Sequence, residues 1–184
     1  DGAVSAIPER PRRPVQPASI QASSTVQGYC HEWNWPPAHV ADGDPHTIWR
    51  ADPKTPATPG RPQWIEWRYH ETLPATSIHL VPAPEGGPAD CELQISGDGN
   101  EYRSVAAFQM NRGEARRGAF TSAPAKCFRL LIMSAHVADI QLAEAWLLRE
   151  GDEPAARPGI KWWAFKSGNR SFWDWPKQGP IALE

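Results

Sequence analysis

Proline is spread through this chain too densely to leave room for long helices. There are 20 in 184 residues, with Pro53, Pro56, Pro59, Pro62, Pro82, Pro84 and Pro88 interrupting the central third. Each removes a backbone N–H and clashes with the preceding helical turn, so the segments between them suit short strands joined by rigid loops. The apolar periodicity agrees. Ile65, Trp67 and Tyr69 alternate with Glu66 and Arg68, the period-two pattern of a strand with one buried face. Further strands are expected around Ile20 and Ala22, from Ile78 to Val81, from Cys91 to Ser96, from Tyr102 to Phe108, at Phe120, through Phe128, Leu130 and Ile132, and from Ile140 to Leu148. The turn Ser96-Gly97-Asp98-Gly99-Asn100 joins two of them as a hairpin. Together these predict an antiparallel sandwich, and the length suffices for one well-buried core.

The flanks read differently. Residues 1–16, with Pro8, Pro11 and Pro14 among charges, predict an extended linker. Beyond Glu150 a charged, proline-containing stretch leads to a run holding Trp162, Trp163, Phe165, Phe172, Trp173 and Trp175. Residues 151–184 are therefore expected either to pack on the sandwich or to lead to a neighbouring domain, since so much apolar surface is poorly kept in water.

Bulk charge excludes some partners. The net charge is -2 and there is no basic stripe, which argues against nucleic acid and against simple attachment to anionic lipid. No apolar run reaches the ~18 residues of a membrane span. The chain begins with Asp1 and shows no signal-peptide pattern, as expected of a mature secreted product or a piece of a larger protein, the latter favoured. Three cysteines, Cys30, Cys91 and Cys127, show neither zinc nor redox spacing, and Cys91 shares the parity of Leu93 and Ile95, which predicts a buried, inert thiol. Ten tryptophans suit sugar binding, because an indole face stacks on the C–H face of a pyranose, although tryptophan also fills cores.

One turn carries metal-like chemistry. Asp42, Asp44 and Thr47 crowd a loop that Gly43 and Pro45 make tight. Hard cations such as calcium take oxygen ligands from carboxylates, hydroxyls and carbonyls, and one such turn supplies about half a shell. An ordinary solvated turn is the alternative.

The order Ala38, Val40, Asp42, Gly43, Asp44, Thr47, Trp49 resembles the metal-loop segment of discoidin domains, the coagulation factor type C family, which includes the family 32 carbohydrate-binding modules. Pro62 to Trp67, Cys91 to Gly99, Lys126 to Ile132 and Ile140 to Leu148 resemble four further landmarks in the same order. The resemblance spans about residues 17–150 and implies an all-β, eight-stranded antiparallel jelly-roll sandwich. It also implies a structural calcium, with Asp42 and Glu144 ligating through carboxylates, Thr47 through hydroxyl and carbonyl, and His39, Asp44 and Ala143 through carbonyls. The implied sugar site lies on loops at one end. Trp33 and Trp35 fall in the first loop, Arg50 takes the position where many galactose binders hold a histidine, and His31, Glu32 and Glu85 add polar groups. Galactose binders also carry an arginine and an asparagine after the strand ending near Val81. The stretch Leu80 to Gly87 has neither, so another sugar is expected, such as rhamnose or an acidic plant or algal glycan.

No hydrolase triad, phosphate loop or paired-histidine motif stands out, and Asp42 and Asp44 are too close together to flank a glycosidic bond. The expectation is a non-catalytic, extracellular or periplasmic module that holds a polysaccharide-degrading enzyme, most simply a glycoside hydrolase, on its polymer. Its partners would be the glycan and that enzyme's catalytic domain. The alternatives are a structural spacer without sugar binding, and a discoidin-type module that inserts loop-tip residues into membrane or a partner protein.

Overall fold

The computed structural model describes residues 12–27, 35–44, 46–84 and 86–154. Seven strands appear in chain order: β1 (Ser19–Ala22), β2 (Trp49–Arg50), β3 (Gln63–Pro82), β4 (Asp90–Ser96), β5 (Arg103–Gln109), β6 (Arg116–Ile132) and β7 (Gln141–Leu148), with one short 3-10 helix over Pro37–Ala41 between β1 and β2. Every pairing is antiparallel, and the strands run β2-β7-β3-β6-β4-β5, with β1 added to β3.

The sequence predicts separate strands at Ile65–Tyr69 and Ile78–Val81, and at Phe120 and Phe128–Ile132. The structure joins each pair into one strand, β3 and β6, which are 20 and 17 residues long. Register shifts between Arg68 and Leu73 and between Ala75 and Ser77 bend the β3/β6 pair midway, as bulges do. The first half of β3 lies with β1 and the end of β6, and the second half lies with β7 and the start of β6. The jelly-roll sandwich thus forms with two strands shared between its layers. Ile65, Trp67, Ile78, Leu80, Leu93, Phe128, Leu130, Ile132 and Leu147 are all fully buried in its core. Cys91 joins them, and burial pushes its thiol up to about 12, which makes it inert.

Strand β7 is buried on both faces from Leu142 to Leu148; β2 and β3 pair along its two edges and the 3-10 helix packs on it. The hairpin between β4 and β5 forms where the turn sequence places it. Part of the expected N-terminal linker is seated: Arg12 bridges Asp152 in parallel, Pro14 is buried, and the Glu153 N–H donates to the Arg12 carbonyl at 3.1 Å. No helix among the described residues is long and apolar enough to cross a membrane.

Candidate functional site

The end of the sandwich where β4 begins and β6 ends carries the described parts of the loops that join β1 to β2, β2 to β3, β3 to β4 and β6 to β7. Gln63 ties two of them to β3: its amide oxygen accepts from Ser23 and Ser24, both at 2.6 Å, and its amide nitrogen donates to the Thr55 carbonyl at 2.8 Å. Arg50 lies opposite Gln141 in the β2/β7 ladder. Its Nε lies 2.8 and 2.9 Å from the two carboxylate oxygens of Asp139, and its Nη2 lies 2.7 Å from Oδ2. Gln141 Nε2 donates to the same carboxylate at 2.7 Å. The guanidinium carbon sits 5.2 Å from the centre of the half-buried Trp35 ring. Arg50 is thus fixed by an aromatic plane and a carboxylate, and its five N–H donors exceed what Asp139 takes.

Arg50 therefore does not pair with Asp52, the neighbour that sequence proximity suggests. Asp52 instead accepts from the Lys54 N–H at 3.0 Å and closes its own turn. Asp139 and Gln141 carry no signal in the sequence, because what makes them partners of Arg50 is the β2/β7 pairing of two segments ninety residues apart. Trp33, His31, Glu32 and Glu85 lie outside the described residues.

The metal-like turn follows the 3-10 helix. Gly43 takes φ +76°, the left-handed value that the tight turn needs and that glycine adopts without strain. Asp42 Oδ1 accepts the Asp44 N–H at 2.8 Å, and the Thr47 hydroxyl lies 2.7 Å from Asp42 Oδ2 and 2.9 Å from the Asp44 carbonyl. Carboxylate, hydroxyl and carbonyl oxygens thus crowd one point, the donor set of a hard cation. His39 Nδ1 lies 3.0 Å from the Ile48 carbonyl, which fixes the loop around that point. On β7, the register shift between Val81 and Pro82 leaves Ala143 as a bulge beside Glu144, with its backbone out of the ladder. Glu144 is 9 % exposed, and its Oε2 accepts the Trp146 indole N–H at 2.7 Å. The 3-10 helix that precedes the turn packs on β7. The oxygens of the turn itself are of the kind an oxygen-ligated cation takes. Among the described residues no three His, Cys, Asp or Glu side chains are close enough to hold a metal alone, so hydroxyl and carbonyl oxygens would have to complete any shell.

A second polar centre was not foreshadowed by any motif. Glu66 faces away from the core on β3 and is 1 % exposed. Its Oε1 takes Arg68 Nε at 2.6 Å, and its Oε2 takes the Tyr102 hydroxyl at 2.6 Å together with Arg129 Nε and Nη2 at 2.9 and 2.6 Å. The Arg129 guanidinium lies 3.7 Å from the Tyr102 ring centre and 5.0 Å from that of Trp64. Burial pushes the Glu66 carboxyl up, but the bonds from Tyr102, Arg129 and Arg68 outweigh it and hold the group below its ordinary value. Cys127 lies opposite Arg68 on this outer face, off the main core and beneath the network.

Comparison with known proteins agrees with this architecture. Similar solved structures include the Clostridium perfringens module CpGH89CBM32-5 in complex with GalNAc-β-1,3-galactose, at 20% identity and TM-score 0.63 over 71% of this chain and 94% of that one. Chitosan-binding module 2 of a Paenibacillus sp. IK-5 chitosanase/glucanase, in complex with chitotriose, aligns at 17% identity and TM-score 0.61, covering 73% and 98%. The family 32 module of AlyQ, in complex with 4,5-unsaturated mannuronic acid, aligns at 12% identity and TM-score 0.61, covering 75% and 99%. A search of curated proteins gives no match. The family model for the F5/8 type C domain matches residues 19–145, more than half of the chain, and the chain belongs to that family.

Proposed function

We propose that this chain is a non-catalytic carbohydrate-binding module whose glycan site is the loop end around Trp35, Arg50 and Asp139. The observation that carries the reading is the fixed Arg50: a guanidinium locked between an indole and a carboxylate offers directed donors beside an aromatic plane, the combination that orients sugar hydroxyls against a stacked ring. The glycan complexes of the similar modules support it. The turn at Asp42, Asp44 and Thr47, with the His39 and Ala143 carbonyls and Glu144, would hold a structural calcium that ties the first loop to the last strand. Its role would be stability, with no catalytic step. In this reading the module belongs to a larger secreted or periplasmic polysaccharide-degrading enzyme and raises the local concentration of polymer around the catalytic domain.

The test is a binding screen of the purified chain on galactosides, rhamnose-containing pectins, xylans, chitosan and alginate, with the Trp35→Ala and Arg50→Ala variants in parallel. Retention on one polymer, weakened at least tenfold in both variants at unchanged melting temperature, is expected. Absence of retention on every polymer would leave a structural spacer as the function.

A further inference from the structure

The end of the sandwich away from these loops holds a cavity of about 270 Å³, between the β4–β5 hairpin and the bend of β6. Ser96, Gly97, Glu101, Tyr102, Arg103 and Pro124 line it. Its separation from Arg50 follows from the ladder. Asp90, at the start of β4, accepts the Met133 N–H at the head of the loop that carries Asp139, whereas Ser96, at the other end of β4, pairs with Cys127. Six residue steps along the strand separate the two ends, roughly 20 Å.

We propose that this cavity is a second glycan-binding site, taking one neutral pyranose unit; it rests on the reading of the chain as a carbohydrate-binding module. Its aromatic wall is fixed in advance. The Tyr102 hydroxyl is tied to the buried Glu66 at 2.6 Å, and the Arg129 guanidinium covers one ring face at 3.7 Å. The ring cannot turn without breaking both contacts, and what remains of it borders the cavity, so a ligand there does not have to order it. Pro124 adds apolar surface to the lining, and Glu101 and Arg103, both exposed, bring opposite charges to it. Among the described residues neither of the two belongs to an ion pair, so a carboxylate and a guanidinium are available to hydroxyl groups. An apolar wall facing a rim that accepts and donates without net charge matches a neutral sugar, which has a C–H face and a hydroxyl edge. Two sites at opposite ends would let one module engage two chains or two stretches of a polymer, strengthening attachment without altering either site.

The experiment is an amide-resolved NMR titration of the full chain with galactose, N-acetylgalactosamine, rhamnose and xylose, each taken to saturation. At least one sugar is expected to shift the amides of Gly97, Tyr102 and Arg103. Gly97→Phe should weaken that response at least tenfold while leaving shifts at Arg50 and Gln141 unchanged. A Cβ at Gly97 meets nothing within 4 Å, so the substitution brings no clash and sets a bulky ring at the cavity's lining. Arg103→Ala, at an exposed position, is expected to weaken it likewise and serves as the second variant. Unmoved amides at 97, 102 and 103 with all four sugars overturn the second site, as do shifts that persist in both variants. Failure of the loop-end site reads separately, as silence at Trp35, Arg50 and Gln141.

Discussion

Glu66 and Asp42 both sit among hydrogen-bond donors, yet the chain completes one centre and not the other. Glu66 receives two guanidinium groups and a phenol, all from strands or turns packed over it, and its charge is balanced within the protein. Asp42 receives only neutral donors, the Asp44 amide and the Thr47 hydroxyl, and among the described residues no cationic side chain pairs with Asp42 or Asp44. It is exposed where Glu66 is buried. A carboxylate whose counter-charge comes from the chain stabilises the fold under all neutral conditions. One without it, exposed to water, would add to stability only if a cation bound it.

The strongest way to break this contrast is to remove the self-sufficient carboxylate. Glu66→Ala leaves Arg68, Arg129 and the Tyr102 hydroxyl with their shared acceptor gone. Breaking a fully buried pair costs about 3–5 kcal/mol, but Arg68 and Arg129 keep side-chain exposures of 42% and 25%. The expected loss is therefore lower, about 2–3 kcal/mol, read as a drop in the urea midpoint at constant slope. A loss below 0.5 kcal/mol would show that the network only decorates the surface.

The turn should behave in the opposite way. Asp42→Asn changes little in chelator, because it removes no ion pair. In calcium at about thirty times its dissociation constant the parent should gain about 2 kcal/mol and the variant close to none. Thermal melts with calcium and with chelator separate the two. An equal response of parent and variant, or no response in the parent, removes calcium from this turn.

The same contrast explains what could be read from the sequence. Period-two alternation locates the core strands, because one face of each is buried, and the Asp-Gly-Asp turn is visible because its oxygen-bearing side chains are neighbours in the chain. The long bent strands were less legible. The apolar pattern lapses where β3 and β6 cross between layers at Arg68–Leu73, and a lapse looks like a loop. Glu66 was legible only as a solvent-facing residue. Apart from Arg68 two residues along the same strand, its partners come from β6 and the end of the β4–β5 hairpin, and only the β3/β6 register places Arg129 opposite it. Asp139 escapes for the same reason, since Arg50 reaches it through the pairing of β2 with β7.

Acid should erode the Glu66 centre in a defined direction. Its carboxyl is held below the ordinary value of about 4.3, so its stabilisation is fully present above that pH and is lost as pH falls through the lower, folded-state value. In urea titrations at a series of pH values, the stability gap between parent and Glu66→Gln is expected to be constant from pH 7 to about pH 5 and to narrow below about pH 4. A gap as wide at pH 3 as at pH 7 would show that the carboxyl is not held down.

The smallest effect tests how the network divides its labour. Arg68 supplies one bond, to Oε1, from a side chain 42% exposed, whereas Arg129 supplies two to Oε2 and is also packed between Trp64 and Tyr102. A single bond whose cation is this exposed contributes about 0.2–1 kcal/mol and is screened by salt at that end. Arg68→Ala should therefore cost under about 1 kcal/mol, with much of that loss gone in 1 M sodium chloride. Arg129→Ala should cost more and keep its cost in salt, because the aromatic packing it loses is not ionic. Equal losses from the two substitutions would mean that the carboxylate is held by its charge environment as a whole, and that the stack of Trp64, Arg129 and Tyr102 adds nothing of its own.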